Sequence, residues 1–386
     1  MSDRPDLTDH PPIAILASFS GSGGVERMLV NLMRGFVAEG REVDLLLIRD
    51  QGPHLSGLPE GINRIPLGTD HSLLAIPALA RYLRRQRPRA LLAVKDRAGR
   101  AAVLARGLAG TDTRLVLRLG TNLSAAMEGR SALERQLRYW PIRRLYPRID
   151  RIVAVSQGVA ADTATLARLP IEAIRVIRNP VITPDQGRLA AEPCPHPWFQ
   201  KEGPPIILGA GRLQRQKDFP TLIRAFARVS QDRPCRLVII GEGSDRQALA
   251  ALARQLGIQD QVDLPGFQAN PLPFLAAADL FVLSSAWEGS PNVLTEAMAL
   301  GTPVVATDCP SGPAELLDAG RIAPLVPVGD VEALAKAMRE TLDRPPPREV
   351  LKAAVADYDQ GRSARQYLEE LEQNRVIRCP GRPGGS

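Results

Sequence analysis

Aromatic side chains are scarce, at 4% of 386 residues. That argues against a single-stranded nucleic-acid binder, which stacks successive bases on rings, and no recognisable nucleic-acid module occurs. Long apolar runs are missing too. The longest, such as Val43-Asp44-Leu45-Leu46-Leu47-Ile48 and Ile206-Ile207-Leu208, are strand-sized, far short of the roughly 20 residues that span a bilayer. The opening Met1-Ser2-Asp3-Arg4-Pro5 has no basic-then-apolar signal pattern. Cys194, Cys235, Cys309 and Cys379 stand far apart with no C-x-x-C pair. Reduced thiols in a cytoplasm are therefore expected, and no metal centre.

What is present is ordinary globular material, 44% hydrophobic and 24% charged. The length suits two cores of roughly 150–200 residues each. Charge is uneven. Residues 1–190 hold 28 Lys plus Arg against 18 Asp plus Glu, and the remainder holds 21 against 24. A basic N-terminal half either faces an anionic partner, such as a membrane carrying a lipid-linked acceptor, or is simply an Arg-rich solvated surface.

Short apolar runs alternate with helix-period segments throughout, the pattern of βα units around a parallel sheet. Strands are predicted at 13–17, 43–48, 90–94, 114–119 and 152–155, with helices such as 25–39 and 73–87 between them. Residues 183–205 break the rhythm with six prolines: Pro184, Pro193, Pro195, Pro197, Pro204 and Pro205. A second series follows, with strands at 206–210, 237–240, 262–264, 280–284 and 303–307 and helices at 219–230, 246–257, 294–300, 331–342 and 363–372. This predicts an α/β chain of two Rossmann-like, doubly wound parallel-sheet domains facing a central cleft. The domain boundaries are 1–183, a linker at 184–203, 204–357, and 358–386 as a returning helix plus a loose tail from Cys379. In such sheets ligands bind outside the carboxyl ends of the strands.

Three loops carry chemistry. In Ser284-Ser285-Ala286-Trp287-Glu288-Gly289-Ser290-Pro291-Asn292-Val293-Leu294-Thr295-Glu296 a strand ends and a helix begins. Ser290 reads as the N-cap, Pro291 as the first helical residue and Gly301 as the stop. The N–H groups of Asn292, Val293 and Leu294 then form an anion site. Glu288 and Glu296 flank it and can bind sugar hydroxyls, although each alone could equally be a turn or surface residue. The second loop, Gly211-Arg212-Leu213-Gln214-Arg215-Gln216-Lys217, places Arg212 and Lys217 over the mouth of the sheet. Two cations there neutralise a diphosphate without a metal ion; two solvated surface cations are the alternative. Lysine is sparing in this chain, at Lys95, Lys201, Lys217, Lys336 and Lys352 only. The third loop, Gly21-Ser22-Gly23-Gly24, opens the first helix and lets backbone N–H groups approach a phosphate. A dinucleotide fingerprint fails at Glu26, Gln214 and Arg246, each standing where its G-x-G would need a third Gly or Ala. Asp50 is the one feature an oxidoreductase reading can claim.

Together these segments resemble the retaining glycosyltransferases of family 4, with the GT-B fold, over roughly residues 13–372. The resemblance also rests on Ala154-Val155-Ser156-Gln157-Gly158-Val159, Ile177-Arg178-Asn179-Pro180-Val181, Gly241-Glu242-Gly243 and Thr307-Asp308-Cys309-Pro310-Ser311-Gly312-Pro313, the last similar to members that use UDP-linked sugars. It implies transfer of a sugar from a nucleotide-diphosphate donor, a UDP-sugar, to a hydroxyl of a glycan or lipid-linked acceptor, with no metal or other cofactor. Arg212 and Lys217 would hold the diphosphate, Glu288 the transferred sugar and Glu296 the ribose. Gly23 and Gly24 would meet the phosphates and Gly266 and Phe267 the base, with Gly289, Asn292, Val293 and Leu294 completing the donor site. The last helix would pack on the N-terminal domain.

One departure concerns the acceptor side. Many relatives carry a histidine after the fourth N-terminal strand, where this chain reads Arg118-Leu119-Gly120-Thr121-Asn122. Asn122 is the stand-in, since His10, His54, His71 and His196 all fall outside the motifs, and His196 between prolines reads as a structural contact. Asp357-Tyr358-Asp359 matches the D-x-D of metal-dependent transferases by chance. The segment 130–151, with seven arginines among Leu133, Leu137, Trp140 and other apolar residues, reads either as a basic amphipathic helix lying on lipid or as a plain connecting helix. The protein is expected in the cytoplasm, with peripheral contact to an anionic membrane through its basic half. The alternatives are a catalytically inert sugar- or lipid-binding relative and a Rossmann oxidoreductase.

Overall fold

The computed structural model describes residues 12–21, 23–200 and 202–373. His10, Ser22, Lys201 and the tail from Cys379 lie outside the described residues. The chain divides into two compact units, 1–178 with 361–386, and 179–360.

The first unit is built on seven parallel strands: β1 (Ile13–Ser20), β2 (Val43–Gln51), β3 (Ile62–Pro66), β4 (Ala90–Val94), β5 (Arg114–Leu119), β6 (Arg151–Ala154) and β7 (Ile174–Val176), in the order β3-β2-β1-β4-β5-β6-β7. Alternation sorts their side chains. Ile13, Ile15 and Ala17 join one core on one face, while Ala14 and Leu16 join another on the opposite face. Helix Gly24–Ala38 covers the first face through Met28, Leu29, Leu32, Met33 and Phe36, a helical stripe. The last helix, Gln360–Glu372, adds Ala364, Tyr367, Leu368 and Leu371 to the same core.

The second unit holds six parallel strands: β8 (Ile206–Ala210), β9 (Arg236–Ile240), β10 (Val262–Gly266), β11 (Leu280–Leu283), β12 (Val304–Thr307) and β13 (Leu325–Val326), in the order β10-β9-β8-β11-β12-β13. Here too odd and even residues divide between two cores: Ile206, Leu208 and Ala210 on one face, Ile207 on the other. The architecture is α/β, two Rossmann-like doubly wound sheets.

The proline-rich stretch is not a bare linker. The chain passes between units at 178/179 and again at 360/361, so residues 184–203 belong to the second unit. Leu189, Ala190, Trp198 and Phe199 pack on its core. His196 is buried, its Nε2 2.7 Å from Asp263 Oδ2 and its Nδ1 accepting from the Trp198 N–H. Apolar payload outweighed the local proline signal. Asp357-Tyr358-Asp359 is structural: Tyr358 is buried, and its carbonyl accepts from the N–H groups of Val181 and Ile182.

Candidate functional site

In the second unit the strand order reverses between β8 and β11. Strands β9 and β10 extend away on one side, β12 and β13 on the other. The connections leaving the carboxyl ends of β8 and β11 therefore start side by side and diverge, which is where doubly wound sheets open a crevice. Leu280 and Phe281 of β11 lie opposite Ile207 and Leu208 of β8, fixing the register of those exits.

The two loops are tied together by one main-chain bond and two side-chain bonds to main-chain carbonyls. Ala286 N–H donates to the Gln216 carbonyl at 2.8 Å, Gln216 Nε2 to the Trp287 carbonyl at 2.9 Å, and Ser284 Oγ to the Lys217 carbonyl at 2.7 Å. A 3-10 turn at Arg215–Lys217 aims the lysine inward. Its Nζ lies 2.5 Å from Glu288 Oε1, which also accepts from Ser285 Oγ at 2.7 Å. The pair is largely sequestered, with 17% of the Lys217 side chain and 8% of the Glu288 side chain exposed. Gly211 makes room for it: its φ is +150°, and a Cβ there would stand 2.8 Å from Lys217 Cε.

A third loop closes on the same point from β12. Thr307 Oγ1 donates to the Ser285 carbonyl at 2.6 Å, and Glu288 N–H donates to the Pro310 carbonyl at 3.2 Å. Cys309 is buried there. Burial first, and then the Glu288 carboxylate, push its thiol up to about 12.

Arg212, on the β8 loop with Lys217, is exposed, and its guanidinium makes no ion pair among the described residues. Glu296 is buried on helix Asn292–Leu300, one helix turn beyond the start of that helix. The cap differs from expectation. Pro291 occupies the N-cap position and Asn292 starts the helix, so Ser290 does not cap it; its hydroxyl is buried with no hydrogen-bond partner among the described residues. The Leu294 N–H is not available to an anion either, because it donates to the Pro291 carbonyl at 3.0 Å. Proline's fixed φ with ψ near +89° turns its carbonyl onto the first helical turn. Val293, at the second helical position, keeps an N–H with no intrahelical acceptor. Asn292 Oδ1 accepts from Asn179 Nδ2 at 2.7 Å, which pins the helix start to the first residue of the unit. Gly301 ends the helix in the left-handed region as expected.

Gly289 is buried within the β11 loop. Gly266 ends β10, and the neighbouring Phe267 ring is 37% exposed, an apolar face open to a ligand. Arg246 pairs with Glu242 beside it at 3.0 Å and also donates to the Leu264 carbonyl.

In the first unit Gly23 caps helix Gly24–Ala38 with ordinary extended angles, and open space surrounds its Cβ position. Its own fold makes no demand for glycine there, which leaves room for a ligand. Asn122 is committed locally: its side-chain oxygen caps helix Leu123–Ala126 by accepting from the Ala125 N–H at 2.9 Å.

Sequence reasoning therefore named the charged groups and missed their holders. Ser285, Gln216 and Thr307 carry no charge; Ser285 and Thr307 sit at strand ends and Gln216 in the 3-10 turn after β8, where a hydroxyl or amide ordinarily signals only a turn. Their pairing across three loops becomes visible only once β8, β11 and β12 are adjacent. Chemically, the arrangement offers an uncommitted guanidinium, an ammonium held by a carboxylate and a helix start, a set suited to a polyanion with hydroxyl groups attached.

Residues 22–184 match the family described as Glycosyltransferase Family 4, and residues 195–357 the family described as Glycosyl transferases group 1. The chain is 29% identical over 365 residues to the N-acetylgalactosamine-N,N'-diacetylbacillosaminyl-diphospho-undecaprenol 4-alpha-N-acetylgalactosaminyltransferase of Campylobacter jejuni, covering 91% of this chain and 96% of that one. It is 30% identical over 334 residues to the lipopolysaccharide core biosynthesis glycosyltransferase LpsE of Rhizobium meliloti, covering 83% and 86%. Among solved structures, Anabaena Alr3699/HepE in complex with UDP and glucose superposes with a TM-score of 0.76 at 19% identity, covering 94% of this chain and 99% of that one.

Proposed function

Because this chain belongs to the family 4 glycosyltransferases of GT-B fold, we propose that it transfers a sugar from a UDP-sugar to a hydroxyl of a glycan or lipid-linked acceptor, with retention at the anomeric carbon. The observation that carries this reading is the Lys217–Glu288 pair at the strand-order reversal, with Arg212 uncommitted on the same loop. A diphosphate entering there meets both cations. As the bond from the anomeric carbon to the phosphate oxygen breaks, Lys217 and Arg212 stabilise the negative charge that gathers on the departing UDP, with the Val293 N–H adding a fixed dipole. This is the work a divalent metal does in other transferases, so the reaction is proposed to be metal-independent and to need no cofactor. Glu288 accepts hydrogen bonds from hydroxyls of the transferred sugar and Glu296 from the ribose. The base lies on Phe267.

Support for a UDP-sugar comes from the UDP and glucose bound by the Anabaena protein. Support for a lipid-linked acceptor comes from the diphospho-undecaprenol named for the Campylobacter relative. No helix among the described residues is long and apolar enough to cross a membrane. We place the protein in the cytoplasm, in peripheral contact with the anionic membrane face where such acceptors are displayed.

The test is a thermal-shift screen with UDP-, GDP- and ADP-sugars in the presence of EDTA, followed by UDP release and the anomeric configuration of the product. Selective stabilisation by one UDP-sugar, chelator-insensitive release and a retained configuration are expected. Release abolished by EDTA and restored by a divalent ion would overturn metal independence, and an inverted product would overturn retention.

A further inference from the structure

We propose that helix Ala132–Leu145 of the first unit is a lipid-docking element that seats its exposed apolar stripe in an anionic bilayer surface. The proposal rests on the reading above for its purpose, bringing the enzyme to a lipid-linked acceptor, while its physics stands on the helix alone.

The helix is poorly buried for one that connects two strands of a sheet. Ile142 is its one fully buried residue. Leu133, Leu137 and Trp140 are 69%, 67% and 61% exposed. They recur at i, i+4 and i+7, a single stripe, and at 100° per residue Ile142 falls on the opposite side of the cylinder. The helix thus packs inward on Ile142 and presents two leucines and a tryptophan to its surroundings. Leu73 and Leu74, also exposed, follow the carboxyl end of β3, on the rim of the parallel sheet from which this helix starts.

Charge decides the occupant. Residues 128–148 carry Arg130, Arg135, Arg138, Arg143, Arg144 and Arg148 against Glu128 and Glu134. Arg130 and Arg144 bracket the stripe at either end, and Arg135 and Arg148 are exposed nearby. Arg138 is engaged with Asp96 at 3.0 Å, and Arg143 donates to the Leu166 carbonyl. Glu134 closes the capping box with Ser131 and also lies 3.5 Å from Arg130, an exposed pair that leaves Arg135, Arg144 and Arg148 as the cations beside the stripe with no acid on this helix. An apolar stripe with a tryptophan, rimmed by cations that have few acids to answer them, matches the boundary between acyl chains and phosphate headgroups. A second copy of this chain would bring the same arginines against one another.

The experiment uses the full chain and vesicles of phosphatidylcholine with and without 30% phosphatidylglycerol, read by flotation. We expect binding to the anionic vesicles that falls as salt rises, and little binding to the neutral ones. L133S/L137S/W140S should lose at least about tenfold in binding, and R130Q/R135Q/R144Q/R148Q should lose the salt dependence. These are surface changes, so thermal unfolding and stabilisation by UDP should match wild type in both variants. Vesicle binding unchanged by either variant would overturn the proposal, as would a stripe-dependent dimer in sedimentation without vesicle binding. Vesicle binding with no release of UDP from any sugar donor would leave the docking element standing and overturn the catalytic reading instead.

Discussion

At the residue scale, Arg212 and Lys217 share a loop and differ in what they hold. Arg212 is exposed with no ion pair among the described residues, so Arg212→Ala should leave unfolding unchanged within about 0.5 kcal/mol while turnover falls by ~10²–10³, the scale of one lost preorganised group. Lys217 is tied to a buried carboxylate. Lys217→Ala should lower turnover equally and also destabilise by about 3–5 kcal/mol, because Glu288 is left uncompensated. K217M/E288Q removes both charges and keeps the Ser285 hydrogen bond, so its melting temperature should return close to wild type with activity still lost. A double variant as unstable as Lys217→Ala would show that the pair is not the source of the cost. Cys309 adds a pH dependence. Its thiol, raised by burial from the ordinary 9 to about 12, is neutral in the fold while the unfolded chain ionises. The stability it contributes is present below pH 9 and is lost as pH rises toward 12. Denaturant midpoints measured from pH 8 to 11 should fall, and Cys309→Ala should flatten part of that fall, with Cys194, Cys235, Tyr82, Tyr146 and Tyr367, which burial shifts the same way, contributing to the remainder.

Elements explain what the sequence could and could not disclose. Central strands such as Ala90–Val94 and Arg114–Leu119 were legible to the residue because both faces are buried and each carries an unbroken apolar run, the whole of the first and Leu115-Val116-Leu117 in the second. The edge strands β3, β7 and β13 were not. Ile62–Pro66 carries Asn63 and Arg64 on a half-wet edge, and Leu325–Val326 is too short to announce itself. At the site, charge was legible and the backbone holding it was not. Gly211 and Gly241 read as a failed dinucleotide pattern, yet they form a close stack at the exits of β8 and β9. Gly211 N–H donates to the Ile240 carbonyl at 3.0 Å, and a Cβ on Gly241 would stand 1.9 Å from the Gly211 carbonyl oxygen. The two substitutions should therefore separate. In Gly211→Ala the new methyl meets the flexible stem of Lys217, so the chain should fold, lose roughly 1–3 kcal/mol to backbone strain and lose most of its turnover. In Gly241→Ala the methyl meets rigid backbone at φ +133°, and the chain should not accumulate as a folded protein. Soluble, active Gly241→Ala would mean that the β8 and β9 exits are looser than this packing implies.

The whole molecule is discontinuous in one unit and continuous in the other. Residues 179–360 are one uninterrupted stretch with two cores, one on each face of its sheet, and contain Arg212, Lys217, Glu288 and Glu296. The first unit is completed only when the chain returns. Ala364, Tyr367, Leu368 and Leu371 sit in its core, and Glu370, 2% exposed, accepts from Arg151 Nε at 2.7 Å. A fragment ending at 178 would open that core to water along a whole helix face, costing about 1.5–3 kcal/mol for each large side chain exposed, against a total stability of roughly 5–15 kcal/mol. Fragment 1–178 is therefore expected to be insoluble or molten. Fragment 179–360 should unfold cooperatively and, with UDP at a hundredfold excess over its dissociation constant, gain about 2.7 kcal/mol, without transferring sugar. Calorimetry of the two fragments with and without UDP decides it. If 179–360 folds but UDP fails to stabilise it while stabilising the full chain, then Lys217 and Glu288 are not sufficient to hold a donor.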